Sequence, residues 1–288
     1  MLFLSVKTVH TRPELRNQVL QWRRHGERVA VVPTMGNLHA GHLSLVRLAK
    51  KQAERVVVTV FVNPMQFGAG EDFDAYPRTL AEDTLKLRDE EVDLLFAPDV
   101  QTVYPFGVEN ATRISVPGLT DEFCGAGRPG HFDGVTSVVL RLFALVQPDI
   151  AVFGQKDYQQ QLVIRRMIDD IGLPIEVTTG AVVREANGLA MSSRNSYLSA
   201  EDRETAAGLY RVLRRTGDRL QEGQENHAVL ATAALKNLQG AGLQPEYFAI
   251  RDASDLSVAD DACREFVILA AARIGAVRLI DNIVVAMR

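Results

Sequence analysis

The stretch VVPTMGNLHAGHLSLVRLAK, residues 31–50, joins an apolar run to an amphipathic helix through a turn. Gly36 and Asn37 suit a left-handed backbone conformation at that turn. His39 and His42 follow, three residues apart, where the helix is expected to begin. The stretch predicts a strand, a tight turn and a helix that carries two imidazoles at its start.

Strand-like and helix-like segments alternate through the first two thirds of the chain. The predicted strands cover residues 28–32, 55–62, 93–98, 111–116, 149–154 and 174–183. The predicted helices cover residues 40–54, 78–92, 135–148 and 156–172. This alternation predicts an α/β fold, with a Rossmann-like parallel sheet and helices on both faces.

The pattern changes after about residue 184. Predicted helices at 200–220 and 227–239 are followed by predicted strands at 246–252, 265–274 and 277–286, the last two joined by a hairpin turn. Helices followed by antiparallel strands indicate a smaller C-terminal α+β domain. We expect one domain over residues 1–184 and a second over 185–288, with the second closing over the ligand as a lid.

Composition excludes several classes of function. The chain has 288 residues, is 47% hydrophobic and carries a net charge of −4, which disfavours a nucleic-acid partner. Two cysteines, Cys124 and Cys263, fit a reducing cytosol, so we expect a cytoplasmic location. The N-terminal MLFLSVK is too short an apolar run for a secretory signal, and the sequence predicts no membrane partner.

Polar residues gather after four of the predicted strands. The segments are PTMGNLHAGH, NPMQF, QKDYQQ and REANGLAMSSRN. Ligands of open parallel sheets bind beyond the carboxyl ends of the strands. The four segments together therefore predict a single site at one edge of the sheet.

The side chains of these segments favour an anionic ligand. The donors and cations are His39, His42, Lys156 and Arg194, with Arg128 as a candidate fifth. Their convergence in a chain of net negative charge indicates a polyphosphate. Gly36 and Gly41 would let a phosphate approach the backbone at a helix start. A P-loop motif and a dinucleotide fingerprint are both missing from the sequence, so neither of those nucleotide-binding classes is favoured.

Each segment also has a purely structural interpretation. His39 and His42 could cap a helix, or could bind a metal, although no Asp, Glu or Cys lies between Pro33 and Ala53 to complete a coordination shell. The NPMQF segment suits a turn, and a Lys–Asp pair suits an ordinary helix start. Only the joint placement of the four segments favours a functional site.

Six motifs along nearly the whole chain resemble one family. They are PTMGNLHAGH, FVNPMQF, DAYPRT, GRPGHFDGV, VFGQKDYQQ and MSSRNSYLS. In this order they resemble the pantoate–β-alanine ligase (pantothenate synthetase) family, within the HIGH-motif nucleotidylyltransferase superfamily. The resemblance implies ATP-dependent condensation of pantoate with β-alanine through a pantoyl-adenylate, with Mg²⁺, in a homodimer.

The resemblance also implies roles for individual residues. The catalytic residues it implies are His39, His42, Lys156 and Arg194. The ATP-binding residues it implies are Pro33, Thr34, Met35, Gly36, Gly41, Gly154, Lys156, Asp157, Val183, Met191, Ser192, Ser193 and Arg194. The pantoate-binding residues it implies are Met35, Asn63, Gln66 and Gln160. It makes Asp83 a candidate Mg²⁺ ligand and sets Tyr76 and Arg128 at the border of the site, whereas Cys124 stands where some members carry an acidic residue.

Three other functions are compatible with parts of this pattern. A nucleotidylyltransferase with a larger acceptor is disfavoured because NPMQF and KDYQQ supply amides suited to a small hydroxy acid. A nucleotide sensor without turnover is disfavoured because the histidines, the lysine and the arginine are all present. A tRNA-binding synthetase would need a basic anticodon-binding domain, which the C-terminal part does not resemble.

Overall fold

The computed structural model describes residues 6–223, 226–260 and 263–287. Residues 1–5, which the sequence analysis used to argue against a secretory signal, lie outside the described part. The chain divides into two compact units. The first runs to Gly154 and includes Val163–Gly180, whereas the second comprises Gln155–Leu162 and the chain from Ala181 onward.

A parallel sheet forms the centre of the first unit. Its described strands are β1 (Lys7–Val9), β2 (Val29–Thr34), β3 (Arg55–Val60), β4 (Leu94–Phe96), β5 (Ile150–Gly154) and β6 (Glu176–Gly180). They lie in the order β1-β4-β3-β2-β5-β6 and all pair in parallel. Strands β3 and β4 lie on one side of β2, whereas β5 and β6 lie on its other side. The strand order therefore reverses between β2 and β5, and ligands of such sheets bind at this switch point.

Helices cover both faces of this sheet. The helices are α1 (Arg12–Arg24), α2 (Ala40–Lys50), α3 (Leu80–Asp89), α4 (Val100–Val103), α5 (Cys124–Gly127), α6 (His131–Val146) and α7 (Tyr158–Ile171). Along β2, Val31 joins a core with α1, α6 and α7, whereas Val32 joins a separate core with α2 and α3. This alternation follows from the two-residue period of a strand, and it confirms the expected Rossmann-like α/β architecture.

One predicted strand is wrong. Residues 111–116 form no strand. Side chains of α6 form hydrogen bonds with main-chain groups that would otherwise pair with a neighbouring strand. The Ile114 N–H donates to Ser137 Oγ at 2.9 Å, and the Ile114 carbonyl accepts from the Thr136 hydroxyl. The Arg141 guanidinium donates to the Thr112 carbonyl at 2.7 Å. α6 also begins at His131, four residues before the predicted helix.

Helix α1 was not among the predicted helices, although its start carries a clear sequence signal. The hydroxyl of Thr11 accepts from the Glu14 N–H, and the Glu14 carboxylate accepts from the Thr11 N–H at 3.0 Å. This capping box is visible in the sequence as Thr-Arg-Pro-Glu, with Pro13 in the first turn.

The second unit contains helices followed by an antiparallel sheet, as expected. Its elements from Ala200 onward are α8 (Ala200–Ala206), α9 (Gly208–Gln221), α10 (His227–Gly240), β7 (Gln244–Asp252), β8 (Glu265–Ile274) and β9 (Val277–Ala286). The helix predicted over 200–220 is divided into α8 and α9 at Ala207. β8 lies between β7 and β9, and the predicted turn joins Ile274 to its partner Val277.

The predicted domain boundary differs from the division into units. The second unit begins again at Ala181 rather than 185, and it also contains Gln155–Leu162, which the sequence analysis assigned to the first domain. The side chain of Asn282, in β9, donates to two main-chain carbonyls of that segment. The expected role of this unit as a lid stays a prediction. Among the described helices, none combines the length and apolar character needed to cross a bilayer.

Candidate active site

The turn after β2 adopts the left-handed conformation that the sequence predicts. Gly36 has φ +85° and Asn37 has φ +50°. A Cβ at Gly36 would lie 3.1 Å from Asp83 Oδ2 and 3.1 Å from Val60 Cγ1. Only glycine therefore combines the required backbone conformation with the close approach of these two side chains.

Asp83 of α3 holds this turn from inside the protein. Its side chain is 0% exposed. Its Oδ2 accepts from the Asn37 N–H at 2.9 Å, and its Oδ1 accepts from the Leu38 N–H at 2.8 Å. The Thr79 hydroxyl donates to Oδ2 at 3.1 Å. The carboxylate thus accepts hydrogen bonds from two main-chain N–H groups that, because the chain turns away from the sheet, have no partner in β2.

This geometry does not fit the expectation that Asp83 binds Mg²⁺. Magnesium in phosphate-transfer sites keeps several waters and needs a ligand that solvent can reach. Both oxygens of Asp83 are buried and already accept hydrogen bonds from the turn. In the described part of the chain, no group of three or more His, Cys, Asp or Glu side chains is arranged to hold a metal ion.

His39 and His42 cap α2, as the structural interpretation expected. His39 is the N-cap residue, and its Nδ1 accepts from the Gly41 N–H at 3.1 Å. His42 Nδ1 accepts from the His39 N–H at 3.3 Å, and the two ring centroids are 4.0 Å apart. An imidazole whose Nδ1 accepts from a main-chain N–H carries its proton on Nε2 in the neutral form. The cap therefore makes Nε2 the donor atom of both rings.

Asn63, after β3, is buried and supports its neighbours. It is 1% exposed. Its Oδ1 accepts from the Met65 N–H at 3.3 Å and from the Tyr104 hydroxyl at 2.6 Å. Its Nδ2 donates to the Gly134 carbonyl and to Gln66 Oε1, each at 3.1 Å. The Met65 N–H and the Gly134 carbonyl fix which way the amide points, so Gln66 must present its oxygen to Asn63.

Tyr104 and Met35 complete the surroundings of these amides. Burial raises the pKa of Tyr104 to about 12, which keeps its hydroxyl a donor. Gln66 Nε2 donates to Met35 Sδ at 3.2 Å, so the structure brings Met35 and Gln66 together.

The expectation that Asn63 contacts a ligand does not fit its burial. Its role here is to orient Gln66.

Arg128 forms an ion pair with Glu71, which neutralises the charge that a phosphate would need. Its guanidinium donates to both carboxylate oxygens of Glu71 at 2.6 Å, and His131 Nε2 lies 2.9 Å from Arg128 Nη1. Burial alone raises the pKa of Glu71, but the hydrogen bonds and charge of Arg128 outweigh it and lower that pKa to about 2. His131 Nδ1 lies 2.8 Å from the Gln66 carbonyl, so this network braces the main chain of Gln66.

The remaining candidates of the first unit lie around the same sheet edge. The Thr34 hydroxyl donates to the Thr59 carbonyl at 2.7 Å and accepts from the Gly36 N–H. Pro33 is half-buried within β2, and Gly154 is the last residue of β5. Tyr76 is buried and packs edge-on against Phe67, with ring centroids 5.9 Å apart.

The second unit gathers most of the other candidates. Lys156 and Ser192 line one pocket of this unit together with Tyr210 and Asp281. Lys156 and Asp157 lie in a 3₁₀ turn at Gln155–Asp157, and Gln160 lies in the first turn of α7.

The segment from Val183 to Arg194 forms a folded loop. The Met191 N–H donates to the Val183 carbonyl at 2.9 Å, which brings these two candidates together. Ser192 caps the 3₁₀ turn Ser193–Tyr197, because its Oγ accepts from the Arg194 N–H at 3.3 Å.

An ion pair between the half-buried Arg184 and the buried Asp281 anchors the start of this loop. Arg184 donates to both oxygens of Asp281 at 2.6 and 2.9 Å and lies 3.6 Å from the centroid of the Tyr210 ring. Burial raises the pKa of Asp281, while the hydrogen bonds and charge of Arg184 oppose that change. Sequence reasoning missed Asp281 and the adjacent Asn282. Two neighbouring polar residues inside the apolar strand VRLIDNIVVA were the available signal.

Comparisons with known proteins agree on one family. A sequence profile described as pantoate-beta-alanine ligase matches residues 7–284. A pantothenate synthetase of Thioalkalivibrio sulfidiphilus is 54% identical over 278 residues, covering 96% of this chain and 97% of the relative. A pantothenate synthetase of Shewanella amazonensis is 53% identical over 271 residues, covering 94% and 96%.

Solved structures agree with these sequence matches. The crystal structure of pantothenate synthetase from Thermus thermophilus has a TM-score of 0.90 at 46% identity, covering 96% of this chain and 99% of that one. A pantoate-beta-alanine ligase of Francisella tularensis, complexed with beta-gamma ATP and beta-alanine, has a TM-score of 0.82 at 30% identity, covering 97% of each chain.

The role of Asp83 in the turn predicts the effect of Asp83→Asn. The amide nitrogen would face a main-chain N–H, so the free energy of unfolding in urea should fall by about 1–3 kcal/mol. Glu82→Gln, on the exposed side of α3, should leave it unchanged. If Asp83→Asn were as stable as the parent, and MgCl₂ stabilised the parent alone, Asp83 would be a metal ligand instead.

The ion pair of Glu71 predicts a specific pH dependence. Because the folded pKa of about 2 lies below the ordinary value of 4.5, the pair stabilises the fold above pH 4.5 and this contribution is lost as the pH falls towards 2. Between pH 5 and 3, roughly, the free energy of unfolding of Glu71→Gln should therefore fall less steeply than that of the parent. Parallel curves for the two proteins would contradict the role assigned to the pair.

Proposed function

Because the chain belongs to the pantoate-beta-alanine ligase family, we propose that it condenses pantoate with β-alanine at the expense of ATP. The products are pantothenate, AMP and pyrophosphate, which makes the reaction part of pantothenate and coenzyme A synthesis. The ligands of the Francisella tularensis relative support ATP and β-alanine as substrates.

The observation that carries this proposal is the double imidazole cap of α2. In the first step, a carboxylate oxygen of pantoate attacks the α-phosphorus of ATP, the bond to the bridging oxygen breaks, and pyrophosphate leaves. Negative charge grows on the α-phosphate and on the leaving group. His39 and His42, each with its proton on Nε2, can donate hydrogen bonds to that charge. The step needs positioning and charge stabilisation but no protein nucleophile.

The second step uses the activated acyl group. The amine of β-alanine attacks the carbonyl carbon of pantoyl-adenylate, the bond from that carbon to the AMP oxygen breaks, and the amine releases a proton to solvent. Free carboxylate is a poor acylating agent, so the adenylate must form before the amine reacts.

Several segments of the chain bind ATP in this proposal. We assign the phosphates to Lys156, Ser192, Ser193 and Arg194, which supply an ammonium, two hydroxyls and a guanidinium. Asp157 contacts the ribose. The groups that frame the nucleotide are Pro33, Thr34, Met35, Gly36, Gly41, Gly154, Val183 and Met191.

Pantoate is bound by two amides, Gln66 and Gln160. Because Gln66 gives its oxygen to Asn63, its Nε2 is the end that donates. A donor at this position suits the carboxylate or a hydroxyl oxygen of pantoate. Gln160, from another segment, can supply the acceptor that a substrate hydroxyl requires.

Magnesium and the homodimer belong to the proposal on family resemblance alone, and the cytoplasmic location on the cysteine content. When bound together with ATP, Mg²⁺ would neutralise negative charge on the phosphates. No residue of the described chain is assigned to it.

The two-step order is tested by withholding β-alanine. With ATP, Mg²⁺ and pantoate labelled with ¹⁸O in its carboxylate, the enzyme should release about one equivalent of pyrophosphate per site, because the adenylate stays bound. After β-alanine is added, mass spectrometry should find one label in AMP and the remainder in pantothenate.

Two controls accompany this experiment. Omission of pantoate should abolish pyrophosphate release, and Lys156→Ala should slow it by about a hundredfold or more, as loss of one transition-state donor does. AMP without label would exclude the adenylate. A strict requirement for β-alanine before any pyrophosphate forms would contradict the two-step order.

A further inference from the structure

Asn282 of β9 is a buried amide that binds the main chain of the segment carrying Lys156. Its side chain is 1% exposed. Asn282 Nδ2 donates to the carbonyl of Gln155 and to the carbonyl of Lys156, each at 2.9 Å. Its Oδ1 accepts from Gln155 Nε2 at 3.2 Å. Both hydrogens of the amide nitrogen are therefore directed at neighbouring carbonyls of one turn.

These two carbonyls belong to the peptide planes on either side of the Lys156 Cα. Because each peptide unit is planar, fixing both planes fixes φ and ψ of Lys156 and hence the direction of its Cα–Cβ bond. The segment follows β5 as a 3₁₀ turn of three residues. So short a turn does little to restrain its own main chain. Asn282, from a distant part of the chain, supplies that restraint.

Asn282 is itself held in place by its strand. It lies opposite Leu269 of β8 in the antiparallel ladder. Its main-chain N–H donates at 2.8 Å to Asp281 Oδ1, and Asp281 is paired with Arg184. The amide is therefore presented to the turn by a rigid, hydrogen-bonded element.

We propose that Asn282 is a positioning residue that acts through Lys156, and that it sets where the ammonium group meets the phosphates. This inference rests on the proposed function, in which Lys156 binds phosphate during adenylation. Asparagine suits the task because its planar amide offers two donors to two carbonyls and one acceptor to Gln155. Aspartate would direct oxygen lone pairs at both carbonyls, and alanine would leave both carbonyls without this donor.

The test is a double-mutant cycle on the adenylation step. Asn282→Ala should slow pantoate-dependent pyrophosphate release by about a hundredfold, as a displacement of about 1 Å can do. In a Lys156→Ala background the same change should cost less than about twofold, because the misplaced group is already absent. The second step, measured with supplied pantoyl-adenylate and β-alanine, should keep the parental rate in Asn282→Ala.

A matched control separates positioning from general destabilisation. Val285→Ala opens a cavity in the apolar core of the second unit from the same strand. It should lower the melting temperature yet leave pyrophosphate release within about threefold of the parent. If Asn282→Ala does not fold, Asn282→Ser, which keeps one hydroxyl donor, is taken through the same cycle.

Two results would overturn the inference. If Asn282→Ala slowed both chemical steps equally, Asn282 would have only a structural role. The same conclusion would follow if the rate losses of Asn282→Ala and Lys156→Ala multiplied in the double variant. A parent protein that converts no ATP with pantoate would instead overturn the proposed function, and this inference with it.

Discussion

The candidate site residues of the first unit depend on the hydrogen bonds that the buried carboxylate of Asp83 accepts. By accepting the N–H groups of Asn37 and Leu38, it stabilises a left-handed turn that would otherwise bury two unpaired donors. The turn ends β2 and sets where α2 begins. It thereby makes His39 the N-cap residue and fixes which nitrogen of each imidazole carries the proton.

The same arrangement recurs at the other chemistry-bearing side chains. Asn63 orients the amide of Gln66, and Asn282 restrains the main chain of Lys156. In each case a side chain with almost no exposure forms hydrogen bonds to main-chain groups and supports a neighbour. These buried side chains set the positions of the site residues. Their own polar groups already have hydrogen-bond partners within the protein before a ligand binds.

The fold could be predicted from the sequence largely because β2, β3 and β5 are apolar runs followed by polar loops. Residues 111–116 have the same β-branched character, yet side chains of α6 satisfy their main chain, and no local pattern reveals that. The family resemblance makes Asp83 a candidate Mg²⁺ ligand, whereas its burial depends on tertiary packing and cannot be read from the sequence. Asn282 lies 126 positions from Lys156, so their contact exists only in the folded chain.

One imidazole, that of His39, caps α2 through Nδ1, and in the proposed function the same ring donates to phosphate through Nε2. The most direct measurement compares the parent with His39→Asn, since asparagine is among the best N-cap residues but lacks the second donor. We expect His39→Asn to keep the melting temperature of the parent and to release pyrophosphate, in the presence of pantoate, about a hundredfold more slowly. A variant that keeps the parental rate, or one whose lost activity is matched by lost stability, would contradict this double role of His39.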